Sequence, residues 1–398
     1  MRPLHLTYVT HYAQLYGANR SLLDMALALR RSGAVVPHVL LPEKGPLTDN
    51  LTKEGVPFAV VPFAPWMSTR HYEGRPHHRL DQYFRYTRQA REHVTRNRAA
   101  IPAILERLRS WGTDIVHINS LAVGVGEGLV RSSSVPVVWH VREMPERHYG
   151  MYLEAGRRRY GRVLSSASRI VAISEAARQD VKRYIRADKE VVVVPNGVFT
   201  LADHDSWEAE LQGRWDARGS FNFLLAGVIH PGKGQEEAIR AMAIVGHRYP
   251  EARLWIAGAG NTGAIRRIID SLDLGSKVAL LGHRDDMNEL YRDTHALLMC
   301  SHSEAFGRVT VEAMAHGIPV IGRAEGGTLE VLDQGRMGLL YSNGPEELAD
   351  RMALVLADRA EAQATGTRGR EHVRTLYNIE RCADTMLGIY RSSLSSPS

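Results

Sequence analysis

The stretch HALLMCSHSEAFGRVTVEAMAHGIPVIGR, His295 to Arg323, reads as strand, loop, helix and strand. HALLMC and PVIGR are apolar runs of strand length. Between them, Val309, Ala313 and Met314 keep helical spacing in RVTVEAMAHG. Two near-continuously apolar strands joined by a helix imply a parallel sheet covered on both faces. The loop SHSEAFG between strand and helix carries Glu304, and Glu312 follows eight residues on.

The same alternation extends outward in both directions. Upstream, FNFLLAG, RLWIAG and KVALLG read as strands of the same set. Further upstream lies a separate set: HLTYVT, VVPHVLLP, DIVHINS, VPVVWHV, RIVAIS and EVVVVPN. Helical stretches such as Asn19 to Arg31 and Ile101 to Ser110 lie between them. Two doubly wound α/β domains are therefore expected, in agreement with a length of 398 residues, which exceeds what one core usually supports. The turn residues Pro195, Asn196 and Gly197, then a polar stretch from Asp203 to Ser220, mark the boundary. The expected units are residues 1–198, residues 199–377, and a C-terminal helix with a Ser-rich tail over residues 378–398. That last helix is expected to pack back toward the first domain.

Composition narrows the class. Hydrophobic content of 44% and charged content of 24% are ordinary for a soluble globular chain. Two cysteines are too few for a disulfide framework, so a reduced, cytoplasmic setting is expected. The N-terminal residues are broken by His5, Thr7, Thr10 and His11 and do not read as a signal peptide. No apolar run reaches the roughly 18 residues of a membrane span. The formal charge is +6. The segment from Arg70 to Arg109 holds ten arginines and no lysine against four acidic residues (Glu73, Asp81, Glu92, Glu106), and so accounts for all of it. Tyr72, Tyr83, Phe84 and Tyr86 are interleaved. The segment reads either as a solvated helical face or as a patch for phosphate groups, on an anionic membrane or a polyanionic acceptor. No recognition motif accompanies the charge, so nucleic acid is not an expected partner.

In open α/β sheets, ligands bind beyond the carboxyl ends of the strands, so chemistry is sought in the loops that follow them. The helix opened by Gly307 presents N–H groups and a partial positive charge, a seat for phosphate. A carboxylate beside such a seat is repelled by phosphate, but it suits hydroxyl groups attached to that phosphate. Glu304 and Glu312 on either side of it suit a sugar at one end and a ribose at the other. The stretch looks built for a nucleotide-sugar.

SEAFGRVTVEAMAHGIPVIG followed by EGGTLEVL resembles the retaining glycosyltransferase family 4. The resemblance implies the GT-B fold, two facing Rossmann-like domains with a deep cleft between them, and transfer with retention of anomeric configuration. It rests on the E-x7-E spacing, the small-residue loop, the EAMA helix and the GxPVI strand. It is strong from Phe221 to Leu340 and moderate before Val198. It implies that Glu304 holds the transferred sugar, that Glu312 holds the ribose, and that Ala305, Phe306, Gly307 and Arg308 line the donor site. LLAGVIHPGKGQEEAI, Leu224 to Ile239, matches a second family element, in which Lys233 is the diphosphate ligand and leaving-group cation. Val228 stands where relatives have Arg, and Arg308 is a candidate to compensate. HYAQLYGANRSL resembles the family's Gly-rich loop, whose backbone approaches the donor phosphate or the acceptor; Gly17 is a donor-binding candidate there, with Tyr16 where many relatives have a first glycine. Asn19 and Arg20 follow as acceptor candidates. In VVWHVREMPE, His140 ends a strand and is the expected catalytic partner from the first domain; Arg142 and Glu143 are further acceptor candidates. Arg284, after KVALLG, is a candidate to stack on the nucleotide base.

The resemblance implies no cofactor and no metal. Asp203-His204-Asp205 is a DxD, as a metal-dependent transferase would use, but it lies in the polar connector instead of after an apolar strand. The expected substrates are a UDP- or GDP-sugar and a sugar or lipid-linked acceptor. Expected roles are in cell-surface polysaccharide or glycoconjugate assembly, with peripheral contact at the inner face of the membrane. Two other readings remain open at this point. One is a GT-B nucleotide-sugar epimerase, and the other a catalytically silent nucleotide-sugar-binding module.

Overall fold

The computed structural model describes residues 2–70, 75–208, 215 and 219–395. Tyr72 and Glu73 of the basic segment, much of the connector before Ser220 and the end of the Ser-rich tail lie outside the described residues. The chain forms two compact units, Met1–Gly197 with Ile379–Ser398, and Val198–Asn378.

The first unit contributes β1 (Leu4–Val9), β2 (Val35–Leu41), β3 (Phe58–Val60), β4 (Met67–Thr69), β5 (Ile115–Ile118), β6 (Val137–Val141), β7 (Met151–Leu153), β8 (Arg169–Ala172) and β9 (Val191–Val193). Seven of these form a parallel sheet in the order β3-β2-β1-β5-β6-β8-β9, while β4 and β7 pair antiparallel on their own. The second unit contributes β10 (Phe221–Ala226), β11 (Ala252–Ala257), β12 (Val278–Gly282), β13 (Ala296–Met299), β14 (Val320–Arg323) and β15 (Leu339–Tyr341), parallel in the order β12-β11-β10-β13-β14-β15.

Burial explains why these segments are strands. Leu6, Tyr8, Val39, Ile115 and Val138 lie in one core, and Phe221, Phe223, Leu254, Leu298 and Ile321 in the other. Both faces of these strands are covered by helices, which is the condition under which a parallel strand is apolar throughout. The final helix, Ile379–Ser395, belongs to the first unit and buries Met386 and Tyr390 in its core.

Two features differ from the sequence reading. The helix expected from Ile101 to Ser110 starts at Pro76 and runs 35 residues to Ser110. Its first half lacks a buried stripe, so apolar periodicity does not reveal it. The short strands β3, β4, β7 and β15, of three residues each, are also below what an alternation pattern can register.

Strand order locates the site in each unit. The chain runs outward from β10 through β11 to β12, then returns to β13 on the other side. The order therefore reverses between β10 and β13, and ligands bind at such a switch point. Phe223 is in register with Ala296, so the carboxyl ends of the two strands lie side by side. In the first unit the corresponding point lies between β1 and β5.

Candidate active site

The loop after β10 and the loop after β13 are clamped together in the second unit. The His302 amide donates to the Gly232 carbonyl at 2.9 Å. Gly234 lies in the left-handed region, with φ of 72°, and a Cβ there would sit 2.4 Å from the Cys300 carbonyl oxygen. Only glycine allows the two loops this close. Lys233 ends a short turn, Pro231–Lys233, capped by the His230 ring, which accepts from the Gly232 amide. The Lys233 Nζ lies 2.6 Å from the Glu304 Oε2, and the two side chains are 17% and 13% exposed. The sequence places these residues on separate motifs 71 positions apart; the switch point brings them into contact.

Glu304 is held from a second side. Its carbonyl accepts from the Gly327 amide at 2.7 Å. A Cβ at Gly326 would fall 2.3 Å from that same carbonyl oxygen, and one at Gly327 would fall 2.6 Å from the Phe306 Cα. The two glycines of EGG thus let the helix Gly326–Val331 pack directly on the Glu304 loop. Glu325 completes the brace, accepting from the Ser303 amide at 3.1 Å. Glu325 is not among the residues expected from the sequence; its place just after β14 is the signal that points to it.

Gly307, with φ of 85°, precedes the eight-residue helix Arg308–Ala315. Glu312 lies on this helix. It accepts from Arg308 Nε at 2.8 Å and from the Tyr291 hydroxyl at 2.9 Å. Arg308 also donates to the Val198 carbonyl at 3.1 Å. Tyr291 is a further residue missed in the sequence, because it lies on the helix Met287–Arg292 and reaches Glu312 only through the fold. Ala305 and Phe306 are buried, and the Phe306 ring packs edge-on against Tyr377 at 5.6 Å. Their side chains face the core, so donor contact from them is limited to backbone groups. Val228 is exposed beside the same loop. Arg284 grips Asp286, with Nε 2.7 Å from Oδ1. Stacking on a base would require it to leave that carboxylate.

The first unit gathers His140, Arg142, Asn19 and Glu143 around the carboxyl ends of β1, β5 and β6. His140 is buried, and among the described residues neither of its ring nitrogens has a hydrogen-bond partner. Burial, with Arg142 and His117 nearby, holds its pKa well below the ordinary histidine value, so the ring is neutral at pH 7. Its ring packs edge-on against His117 at 5.2 Å, and His117 Nδ1 pairs with the Tyr390 hydroxyl at 2.8 Å. Arg142 is buried and donates to Asn119 Oδ1 at 2.6 Å and Asn196 Oδ1 at 2.5 Å.

Two acceptor candidates, Asn19 and Glu143, are engaged within the first unit. Asn19 is fully buried: it accepts from Thr10 Oγ1 at 2.6 Å and donates to the Tyr12 and Gln14 carbonyls at 3.0 and 2.8 Å. It braces the loop after β1 and is not on a surface open to an acceptor. Glu143 Oε1 accepts from the Ser120 hydroxyl and the Leu121 amide, both at 2.6 Å. That oxygen braces the loop after β5. Arg20 is exposed on the helix Gly17–Arg31. Gly17 opens that helix, and an added Cβ would meet no atom within 4 Å, so the fold does not demand glycine there.

The DxD does not form a pair of free carboxylates. Asp203 caps its helix through the Thr200 amide and hydroxyl, while Asp205 takes Arg374 at 3.2 Å. Cys300 lies at the loop base, but burial pushes its thiol up to about 12, which excludes it as a thiolate nucleophile. A cavity of about 240 Å³ in the first unit is lined by Trp66, His93, Asn97, Glu127, Glu154 and Arg159 among others, and by none of the expected site residues.

A cation and a carboxylate in contact at the switch point of a parallel sheet suit a phosphorylated, hydroxylated ligand. Comparison with known proteins gives the family. The family model described as Glycosyl transferases group 1 matches residues 215–372, and that described as Glycosyltransferase Family 4 matches residues 16–200. The chain belongs to the family 4 glycosyltransferases. An uncharacterized glycosyltransferase of Methanocaldococcus jannaschii is 24% identical over 71% of this chain and 76% of its own length. A D-inositol 3-phosphate glycosyltransferase of Arthrobacter sp. is 28% identical over 74% of each chain. The structure of Anabaena HepE in complex with UDP superposes with a TM-score of 0.78 at 20% identity, covering 98% of this chain and 100% of that one. The Anabaena HepE complex with UDP-glucose gives a TM-score of 0.75 at 21% identity, covering 99% of this chain and 100% of that one. This glycosyltransferase therefore has the GT-B fold, with one parallel α/β sheet in each unit. Among the described residues, no helix is long and apolar enough to cross a membrane.

Proposed function

We propose that this glycosyltransferase moves a sugar from a UDP-sugar or GDP-sugar to a hydroxyl of a sugar or lipid-linked acceptor, with retention at the anomeric carbon and without a metal. The observation that carries the reading is the Lys233–Glu304 contact at the β10/β13 switch point. Lys233 would take the diphosphate and meet the charge that develops on the leaving group. Glu304 would turn to hydroxyls of the transferred sugar, Glu312 would take the ribose, and Arg308 would supply the cation absent at Val228. His140 is the proposed hydrogen-bonding group of the first unit toward the sugar, acting as a neutral imidazole. In this reading no covalent nucleophile is used, and the departing phosphate oxygen would accept the proton of the attacking acceptor hydroxyl on the same face.

UDP is the favoured nucleotide, because HepE was solved with UDP and with UDP-glucose. The proposed role is in cell-surface polysaccharide or glycoconjugate assembly, at the inner face of a membrane. The test is a thermal-shift panel of UDP-, GDP-, TDP- and ADP-sugars in excess EDTA. The UDP-sugars should raise the melting temperature by mass action, and increasingly so as their concentration exceeds Kd. No shift with any of the four would sink the reading. Incubation with donor alone should return the same sugar; an isomerised sugar would make the protein an epimerase.

A further inference from the structure

The helix Pro76–Ser110 has two halves with different surroundings. From Asn97 onward it is seated in the first unit. Asn97, Ala100, Ile104 and Leu108 are buried, and Asn97 Oδ1 accepts from the Ala64 amide at 2.8 Å. Gly124 and Gly128 make room for the seat. A Cβ at Gly124 would lie 2.2 Å from Asn97 Nδ2, and one at Gly128 would lie 2.3 Å from Ile101 Cδ1. Before Asn97 the picture changes. Among the described residues, none from His77 to Arg96 is buried. That stretch spans about 30 Å at 1.5 Å per residue.

It is not a purely polar arm. Leu80, Tyr83 and Phe84 are 56%, 50% and 61% exposed. Their i, i+3, i+4 spacing sets them on one face. Arg79, Arg85, Arg88, Arg91 and Arg96 are exposed along the same stretch. The surface continues onto β7, where the Arg70 guanidinium stacks 3.5 Å over the half-exposed Tyr152 ring. Of nine large apolar side chains exposed among the described residues, four belong to this surface. A solvated helical face needs no such cluster.

We propose that His77–Arg96, with Tyr152, is a membrane-docking face for a bilayer containing anionic lipid. Leu80, Tyr83 and Phe84 enter the headgroup–acyl boundary, and the arginines engage lipid phosphates. Apolar residues on one face with arginines around them is the arrangement that lies in the interface plane. A free polyanion would use the arginines but leave the apolar triplet idle. A second copy placed symmetrically would oppose two surfaces of like charge, each with five arginines against Asp81 and Glu92. This inference specifies the peripheral-membrane part of the proposed function and does not depend on the transferase chemistry.

The test is sedimentation of the full chain, without donor, with vesicles of phosphatidylcholine alone or mixed with phosphatidylglycerol. Two variants separate the contributions: Leu80→Ser/Tyr83→Ser/Phe84→Ser, and Arg79→Gln/Arg85→Gln/Arg88→Gln. All six positions are exposed, so melting temperature and the thermal shift with UDP should stay at the parent values. The parent should bind mixed vesicles, release them as salt rises from 0.1 to 0.5 M, and leave neutral vesicles in the supernatant. The arginine variant should lose on the order of 100-fold, from roughly fivefold per residue. The apolar variant should lose at least about tenfold, although its charge is intact. Equal binding to neutral and mixed vesicles would overturn the proposal. So would parental binding by the apolar variant, which would mark a polyanion site, or a dimer that this variant dissolves with no vesicle binding by the parent. Vesicle binding without a UDP shift would leave this inference standing and remove the donor reading.

Discussion

Lys233 Nζ and Glu304 Oε2 are 2.6 Å apart, on the two loops that leave the sheet where its strand order reverses. The cation proposed for the diphosphate is thus held by the carboxylate proposed for the sugar. Donor binding must separate them. Glu304→Gln removes the charge that competes with phosphate for Lys233. It should therefore leave nucleoside diphosphate affinity unchanged or higher while transfer falls by at least about 100-fold. Titration calorimetry with UDP, beside a turnover assay, reads both. Turnover at the parental rate would remove Glu304 from the sugar position.

Glu312 is shared by Arg308 and Tyr291. Glu312→Ala should weaken nucleotide binding by about 1–3 kcal/mol, the range for a lost charged hydrogen bond. Arg308→Leu should weaken it too, if Arg308 replaces the cation missing at Val228. Val228 is exposed, so Arg fits there. Val228→Arg should then restore UDP affinity in the Arg308→Leu background, and should fail to do so if Arg308 serves only to hold Glu312.

Gly234→Ala should cost about 2–4 kcal/mol of stability, from the left-handed backbone and the clash with the Cys300 carbonyl. The loops would be forced apart, so affinity for UDP should fall along with the melting temperature. A variant with parental stability would mean that the two loops are not tightly apposed.

The buried histidines set a pH dependence. His140 and His117 are both held well below the ordinary value by burial, with Arg142 adding to the effect. Below pH 6.5 the unfolded chain binds protons that these folded rings refuse. Stability is therefore full above pH 6.5 and falls as pH drops, by up to about 1.4 kcal/mol per pH unit for each ring. Urea melts from pH 7.5 to 5 should show this slope, and His140→Gln should remove about one proton from it. A flat profile over that range would contradict the burial of these rings.

The sheets and the donor loops were legible because both rest on local signals: apolar runs, a glycine turn, and a charged residue just after a strand. What escaped depends on distant partners. Nothing near Asn19 announces that the Thr10 hydroxyl and two loop carbonyls will close around it. His117 meets Tyr390 across 273 positions, and Tyr291 meets Glu312 across two helices. The long helix escaped for another reason. Its first half carries charge without the buried stripe on which helix periodicity depends, so a solvated helical face was one open reading there and the bounds of the helix were not legible.

The proposed place of a nucleoside diphosphate is the β10/β13 switch point, against Lys233. Titration calorimetry of UDP into the parent and into Lys233→Ala, both in EDTA, tests it most directly. Lys233 is on a short surface turn, so the variant should fold with a melting temperature close to the parent's. The parent should bind UDP in the micromolar range and the variant at least about tenfold more weakly, as expected for a lost charge-assisted contact to phosphate. Equal UDP affinity in the two proteins would contradict it.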